Sequence, residues 1–419
     1  MHKKANLQKQ IDILQEQTPN KLTFLGIKIK NHPLFEQEVD FFVTNEQRVY
    51  QDNSNNQLAN LYGSLWVNKM IALVGRNATG KTTILKTVIG ALSLLLQDKS
   101  ISQTRLKDIL IGINPISLEI YFYGSDKTIF KDEIIFKRNM DSDWYIESEK
   151  IYSKYATKRF SKKKLFEFDK NKDLIYDRNT IGDVALNILA EDDSIFRIVR
   201  KKRKYLVQTI VDALIFTNDV NVPIYNNKDV PTEILEYLDP TIEYLKIDNK
   251  QIDSHKNQAF YRLKFKGTDN EITDTNFATI ERYLSSGTAK GVTLYGNIIA
   301  TLKNGGIIFI DELENHFNHT IVRTFIEYFS NKRINRHNST LIFTTHYSEL
   351  LDDFERGDEI YIAKRDEKIH LQRYSSTKVR TELNKAEVFD SDYLGGTVPE
   401  YNSYLKLRKA TEKVVSDGG

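Results

Sequence analysis

Residues 69–96 read KMIALVGRNATGKTTILKTVIGALSLLL. The apolar run Met70–Val74 predicts a buried strand, it enters a glycine-bounded turn, and the stretch from Lys81 onward predicts a helix. Within it, GRNATGKTT at 75–83 fits G-x-x-x-x-G-K-[ST] through Gly75, Gly80, Lys81 and Thr82. The motif needs a strand before it and a helix after it, and both flanks are present. The bland alternative, a chance glycine turn, does not account for those flanks. Glycines let the backbone wrap a phosphate chain, while loop N–H groups and the helix N-terminus face the anion. The candidate nucleotide-binding residues are therefore Gly75, Arg76, Asn77, Ala78, Thr79, Gly80, Lys81, Thr82 and Thr83. Lys81 would reach the β- and γ-phosphates of a nucleoside triphosphate, and Thr82 would hold Mg²⁺ through its hydroxyl.

Composition sets outer limits. With 419 residues the chain can bury a large core and divide into two or three domains. No run of about 18 apolar residues predicts a membrane span, and MHKKANLQKQIDILQEQ lacks the apolar centre of a signal peptide. The absence of cysteine excludes disulfides and thiolate metal sites. These features lead us to expect a soluble, cytoplasmic chain with no membrane partner. The net charge of +3 requires any nucleic-acid surface to be local.

Outward from the phosphate loop, residues 1–20 form an N-terminal extension with a short helical pattern through Leu7, Ile11 and Leu14. KLTFLGIKIK and EQEVDFFV alternate like strands, a polar loop covers 51–57, and 117–152 alternates like an antiparallel β meander. Residues 21–155 make the first part of a core. Residues 156–260 then read as a charged, mostly helical insert with short helices such as TIGDVALNIL and KYLVQTIVDALIF, and without the heptads of a coiled-coil arm. FYRLKFKG returns to strand. From 261 to 375 the interleaved helices and strands complete the core, and 376–419 is a C-terminal segment. Such interleaving predicts an α/β fold with a mainly parallel sheet.

GGIIFIDELE, at 305–314, places Asp311 and Glu312 at the end of a fully apolar strand. Carboxylates there stand at the ligand-binding edge of a parallel sheet. Asp311 would join the Mg²⁺ shell, and Glu312 would orient or deprotonate the attacking water. Taken alone the pair could simply end a strand; the phosphate loop favours the catalytic reading. A second apolar strand, STLIFTTH, ends in His346. A histidine at a strand end is commonly a loop residue, but its place one strand beyond Asp311–Glu312 suits contact with the γ-phosphate or the water.

The order of phosphate loop, meander, insert, YLSSGTAKG at 283–291, Asp-Glu strand and His strand resembles the ATP-binding-cassette type of ATPase, in the branch of chromosome-maintenance and double-strand-break-repair heads. That resemblance implies an ABC-type P-loop ATPase head with an antiparallel β subdomain and an inserted helical subdomain. It implies that Leu284, Ser285, Ser286 and Gly287 begin a signature helix that binds the γ-phosphate held by the opposite subunit in a head-to-tail dimer. Serine hydroxyls and N–H groups at a helix start suit that task. SSGT, IDELENHFNH, LIFTTHYSELL, RGDEIYIAKRDEK and DSDYLGGTVPEY together resemble bacterial OLD-like and abortive-infection ATPases, including the AbiL and AriA types of phage defence. The likeness spans roughly residues 20–155 and 260–405.

By the same resemblance Glu314 and Asn315 fall in an interface loop, and Glu149 falls at a metal-side loop position. Two departures stand out. Asn318 and His319 occupy the place of the family's His-Pro pair. The OLD proteins proper also continue into a metal-dependent TOPRIM nuclease domain, for which the residues around Glu387, Asp390 and Asp392 do not suffice. The resemblance thus implies ATP and Mg²⁺, a homodimer or higher homo-oligomer, a separately encoded effector such as a nuclease, and a nucleic acid or phage protein as trigger. Alternatives are a DNA repair or recombination ATPase and a slow ATP-dependent assembly scaffold.

The insert carries basic runs at 154–164 and 197–204, the second holding Arg197, Arg200, Lys201, Lys202, Arg203 and Lys204. Such runs suit phosphate contacts with nucleic acid. An acidic partner protein and a plain solvated surface remain open alternatives.

Overall fold

In the computed structural model, which describes residues 20–49, 56–157, 161–182, 189–214, 230–253, 256–315, 317–377, 379–380, 383–398 and 401–416, packing divides the chain into two units. One comprises residues 1–208 and 348–419, the other 209–347. The helical pattern through Leu7, Ile11 and Leu14, most of the polar loop, residues 158–160 of the first basic run and most of TIGDVALNIL lie outside the described residues.

The first unit contains the expected meander. Strands Ile116–Gly124, Thr128–Arg138 and Trp144–Tyr155 pair antiparallel in sequence order. Lys21–Lys30 adds to the first of them, and Glu38–Phe42 pairs antiparallel with Lys21–Lys30. The alternation that made these strands legible is the alternation of burial: Phe130, Ile134 and Phe136 are wholly buried while Lys131, Glu133 and Ile135 are not. A separate set of strands carries the phosphate loop. Met70–Val74, buried at every position, pairs in parallel with Ile360–Arg365, which turns antiparallel into Ile369–Arg373. The helix Lys81–Leu96 buries all its residues except Thr82, Thr83 and Lys86. A helix apolar on every side is a core helix, and each leucine hidden on it contributes about 1.5–3 kcal/mol.

The second unit holds three parallel strands in the order Ile210–Ala213, Ile307–Ile310, Thr340–Thr345. A three-stranded antiparallel sheet, Ile242–Asp253, Lys256–Phe265 and Glu271–Asp274, lies in the same unit. Leu235, Leu245, Leu263, Phe277, Ile280 and Val292 form its core together with the helices Thr232–Leu238, Phe277–Glu281 and Ser286–Asn304. The α/β class with parallel strands and an antiparallel β subdomain is as expected.

The helical reading of the insert is not. Among the described residues of 156–260, helices Lys162–Phe166, Phe196–Arg203 and Thr232–Leu238 alternate with strands Leu174–Asp177, Leu206–Val207, Ile210–Ala213 and Ile242–Asp253. KYLVQTIVDALIF is two short strands where it is described, not one helix. A brief apolar run suits either state, and here tertiary pairing decides: Ile210–Ala213 aligns residue by residue with Ile307–Ile310. Two glycines make that approach feasible. Gly305, at φ 68°, caps the helix Ser286–Asn304. Gly306 leaves room for the incoming chain, since a Cβ there would stand 2.5 Å from the Thr209 carbonyl oxygen. Gly306→Ala should therefore lower the unfolding free energy by about 1–3 kcal/mol, as overpacking does. Urea denaturation measures it; an unchanged midpoint would contradict the close approach.

Candidate functional site

In the first unit the phosphate loop is shaped by contacts that tolerate no side chain. A Cβ on Gly75 would lie 2.3 Å from the Ala363 carbonyl oxygen, so the loop can leave its strand only through glycine. Gly80, at φ 92°, sits just before the helix, where a Cβ would strike Ile369 at 2.3 Å. Ala78 also has a positive φ of 62°. The Thr79 hydroxyl donates to the Arg76 carbonyl at 2.8 Å. Lys81 Nζ folds back over the loop and donates to the carbonyls of Gly75 at 2.8 Å and Arg76 at 3.0 Å. Asn77 and Ala78 are exposed, and Thr82 and Thr83 are half-buried in the first helical turn. No acidic side chain occupies that turn, as suits an anion site. Arg76 donates to the Val398 carbonyl at 2.9 Å, which ties the loop to the C-terminal segment.

In the second unit the carboxylates are set by a neighbouring hydroxyl. Asp311 and Glu312 follow the buried strand Ile307–Ile310, and Thr344 lies wholly buried on the adjacent parallel strand. Thr344 Oγ1 donates to Asp311 Oδ1 at 2.6 Å and accepts from the Glu312 N–H at 2.8 Å. The Leu313 N–H donates to the Thr344 carbonyl at 3.1 Å. The chain thereby turns through Glu312 at φ 48°, a left-handed conformation costing about 1–2 kcal/mol for a residue with a side chain. The Glu312 side chain, 49% exposed, lies 3.6 Å from His346 Nε2 and accepts from Asn315 Nδ2 at 3.5 Å. Glu314 is buried; its Oε1 accepts from the His346 N–H at 2.6 Å. Asp311, Glu312, Glu314, Asn315 and His346 thus lie close together, with Glu312 and Asn315 exposed and His346 half-buried. Thr344 and Lys290 were missed. The only trace of Thr344 was its place two residues before His346, and that of Lys290 its place four residues after Ser286.

Lys290 is 8% exposed. Its Nζ donates to the Asn315 carbonyl at 2.8 Å, approaches the Glu312 carbonyl at 3.5 Å, and lies 5.3 Å from the centre of the Phe317 ring. Burial pushes its ammonium down to about 8, against the opposing pull of Glu314, Glu312 and Asp311. At the start of the same helix, Ser285 is the cap: its hydroxyl accepts from the Thr288 N–H at 3.0 Å. Leu284 is buried, Ser286 is exposed and Gly287 half-buried. Asn318 caps the helix His319–Ser330 by accepting from the Ile321 N–H at 3.0 Å.

Oxygen donors suit Mg²⁺, which usually takes one or two carboxylates plus phosphate and water. Thr82 offers such an oxygen in the first unit and, considered separately, Asp311 offers one in the second. Among the described residues, no group of three or more acidic, histidine or cysteine side chains could hold a metal by itself.

Two expectations need correction. Glu149 is no metal ligand at the surface of a loop: it is wholly buried in the meander strand Trp144–Tyr155. Its carboxylate accepts from Ser194 Oγ at 2.5 Å and the Ile195 N–H at 2.9 Å, with Arg178 at 3.5 Å. Asp132, equally buried, is its neighbour; burial and the Glu149 charge push Asp132 well above the usual carboxylate range. Burial also raises Glu149, against the opposing pull of Ser194, the Ile195 N–H and Arg178.

The basic cluster is likewise half consumed. Arg197 pairs with Asp193 at 2.7 Å, Arg200 is buried and bonds to Asp98 and the Leu96 carbonyl, and Arg203 lies over the Phe130 ring. Lys201, Lys202 and Lys204 are exposed. Among the described residues, no helix is long and apolar enough to cross a membrane.

No curated protein matches the sequence. Two solved structures, "Structure of the recombination mediator protein RecF-ATP in RecFOR pathway" and its counterpart with "RecF-ATPrS", overlap it at TM-scores of 0.35 and 0.36. Each is 11% identical and covers 84% of this chain and 99% of its own. So loose an overlap assigns no residue and no activity. The family model described as "AAA domain, putative AbiEii toxin, Type IV TA system" matches residues 70–352. That match runs from the strand before the phosphate loop past Asp311, Glu312 and His346, over more than half of the sequence, and the chain belongs to this AAA-domain ATPase family.

Proposed function

We propose that the chain binds and hydrolyses ATP as an ABC-type ATPase whose ATP-closed head-to-tail dimer controls a separately encoded effector, a nuclease or toxin, in bacterial antiviral defence. The observation that carries the catalytic part is the Glu312 turn: its N–H donates to the Thr344 hydroxyl, and its solvent-facing carboxylate lies 3.6 Å from His346. A carboxylate so placed can orient a water and take its proton. Lys81 and the N–H groups of 75–83 hold the β- and γ-phosphates, and His346 faces the γ-phosphate. Thr82 and Asp311 would hold Mg²⁺, which would neutralise charge on the phosphates. Ser285, Ser286 and Gly287 cap the γ-phosphate of the opposite subunit, as the exposure of Ser286 at a helix start supports. Glu314 and Asn315 form the loop at that interface. Defence is supported by the tail DSDYLGGTVPEY and by a family description that names a toxin. A nucleic-acid trigger would engage Lys201, Lys202 and Lys204 rather than the arginines between them.

Three variants test this reading. Lys81→Ala should lose ATP binding in calorimetry; wild-type affinity would remove the phosphate loop from the site. Glu312→Gln should bind ATP yet turn over about 10²–10⁴-fold more slowly, and an unimpaired rate would end the assignment of Glu312. With ATP and Mg²⁺ the Glu312→Gln protein should gain mass in light scattering. Adding Ser286→Arg should abolish that gain while ATP binding persists; an undiminished gain would mean that association does not use this helix start.

A further inference from the structure

The helix that begins at Ser286 delivers Lys290 to the Glu312 turn, and none of the proposed steps uses that side chain. Its burial needs a reason, because a lysine hidden to this degree gives up hydration that a methionine would not. The acceptors of its ammonium supply one. It donates to main-chain carbonyls, Asn315 at 2.8 Å and Glu312 at 3.5 Å, the two ends of the turn that presents the Glu312 carboxylate. Thr344 grips the same turn from its other side, through the N–H groups of Glu312 and Leu313. The left-handed backbone at Glu312 is thus held from two directions, one belonging to the sheet and one to the helix. Along a helix, Lys290 stands about 6 Å beyond Ser286. Whatever shifts the helix start also shifts the ammonium that holds the Glu312 carbonyl.

We propose that Lys290 is a positioning residue that couples the helix start at Ser285–Gly287 to the aim of the Glu312 carboxylate. The proposal rests on the reading of Glu312 as the water-orienting group. Contact of Ser286 with an anion on another subunit then bears on hydrolysis through Lys290, without Lys290 touching nucleotide or water.

The test compares Lys290→Met, Lys290→Gln and Lys290→Arg in the full chain with wild type and Glu312→Gln. It reads amide hydrogen exchange over 312–315, ATP affinity, and kcat and KM. Lys290→Met should raise exchange over 312–315 and lower kcat by about 10- to 100-fold, the scale of a small misplacement, with KM within about twofold. Lys290→Arg, which still donates to both carbonyls, should recover most of kcat; Lys290→Gln replaces Met if the latter fails to fold. Unchanged exchange, an unchanged kcat, or an equal kcat loss in Lys290→Arg would overturn the proposal. If Glu312→Gln hydrolysed ATP like wild type, the reading of Glu312 would fail instead, and the exchange data would still decide whether Lys290 holds the turn.

Discussion

One hydroxyl organises the acidic end of the second unit. Thr344 spends its proton on Asp311 and its lone pair on the N–H of Glu312, which uses the full capacity of a threonine side chain except one acceptor site. Because Thr344 is wholly buried on the neighbouring strand, the direction of both carboxylates is inherited from the register between two parallel strands. That register depends in turn on the glycine pair at 305–306 and on the strand 210–213 that packs beside it. A carboxylate aimed by a strand rather than by a loop starts from a fixed direction.

The parts legible in the sequence are those where chemistry and backbone need coincide. Gly75 and Gly80 announce the phosphate loop because each presses against another chain segment, Ala363 or Ile369, with no room for a Cβ. Asp311 and Glu312 stand out because acids rarely follow four wholly apolar residues. The serine turn at 285–286 reads correctly as a helix start, and Ser285 does cap it.

What was hidden depends on partners distant in sequence. Nothing in VQTIVDALIF says that its middle residues pair with Ile307–Ile310, since a run this short satisfies helix and strand alike. Glu149 looks like any acid in a polar strand until Ser194 and Arg178 close over it. The arginines of 197–204 look free until Asp98, Asp193 and the Phe130 ring are placed beside them. Composition gave the right warning here: with charge nearly balanced, many cations must find their anions within the chain.

The buried pair Asp132–Glu149 has a thermodynamic consequence. A carboxyl whose pKa is raised on folding binds more protons in the native state than in the unfolded one, so Asp132 by itself takes up a proton as the meander folds. The sign follows directly: the contribution of Asp132 is complete below its unfolded value near 3.8 and is lost as pH rises through the higher folded value. In that respect Asp132 behaves as a weak base, drawing a proton from a lightly buffered medium as the meander assembles and returning it when the meander melts.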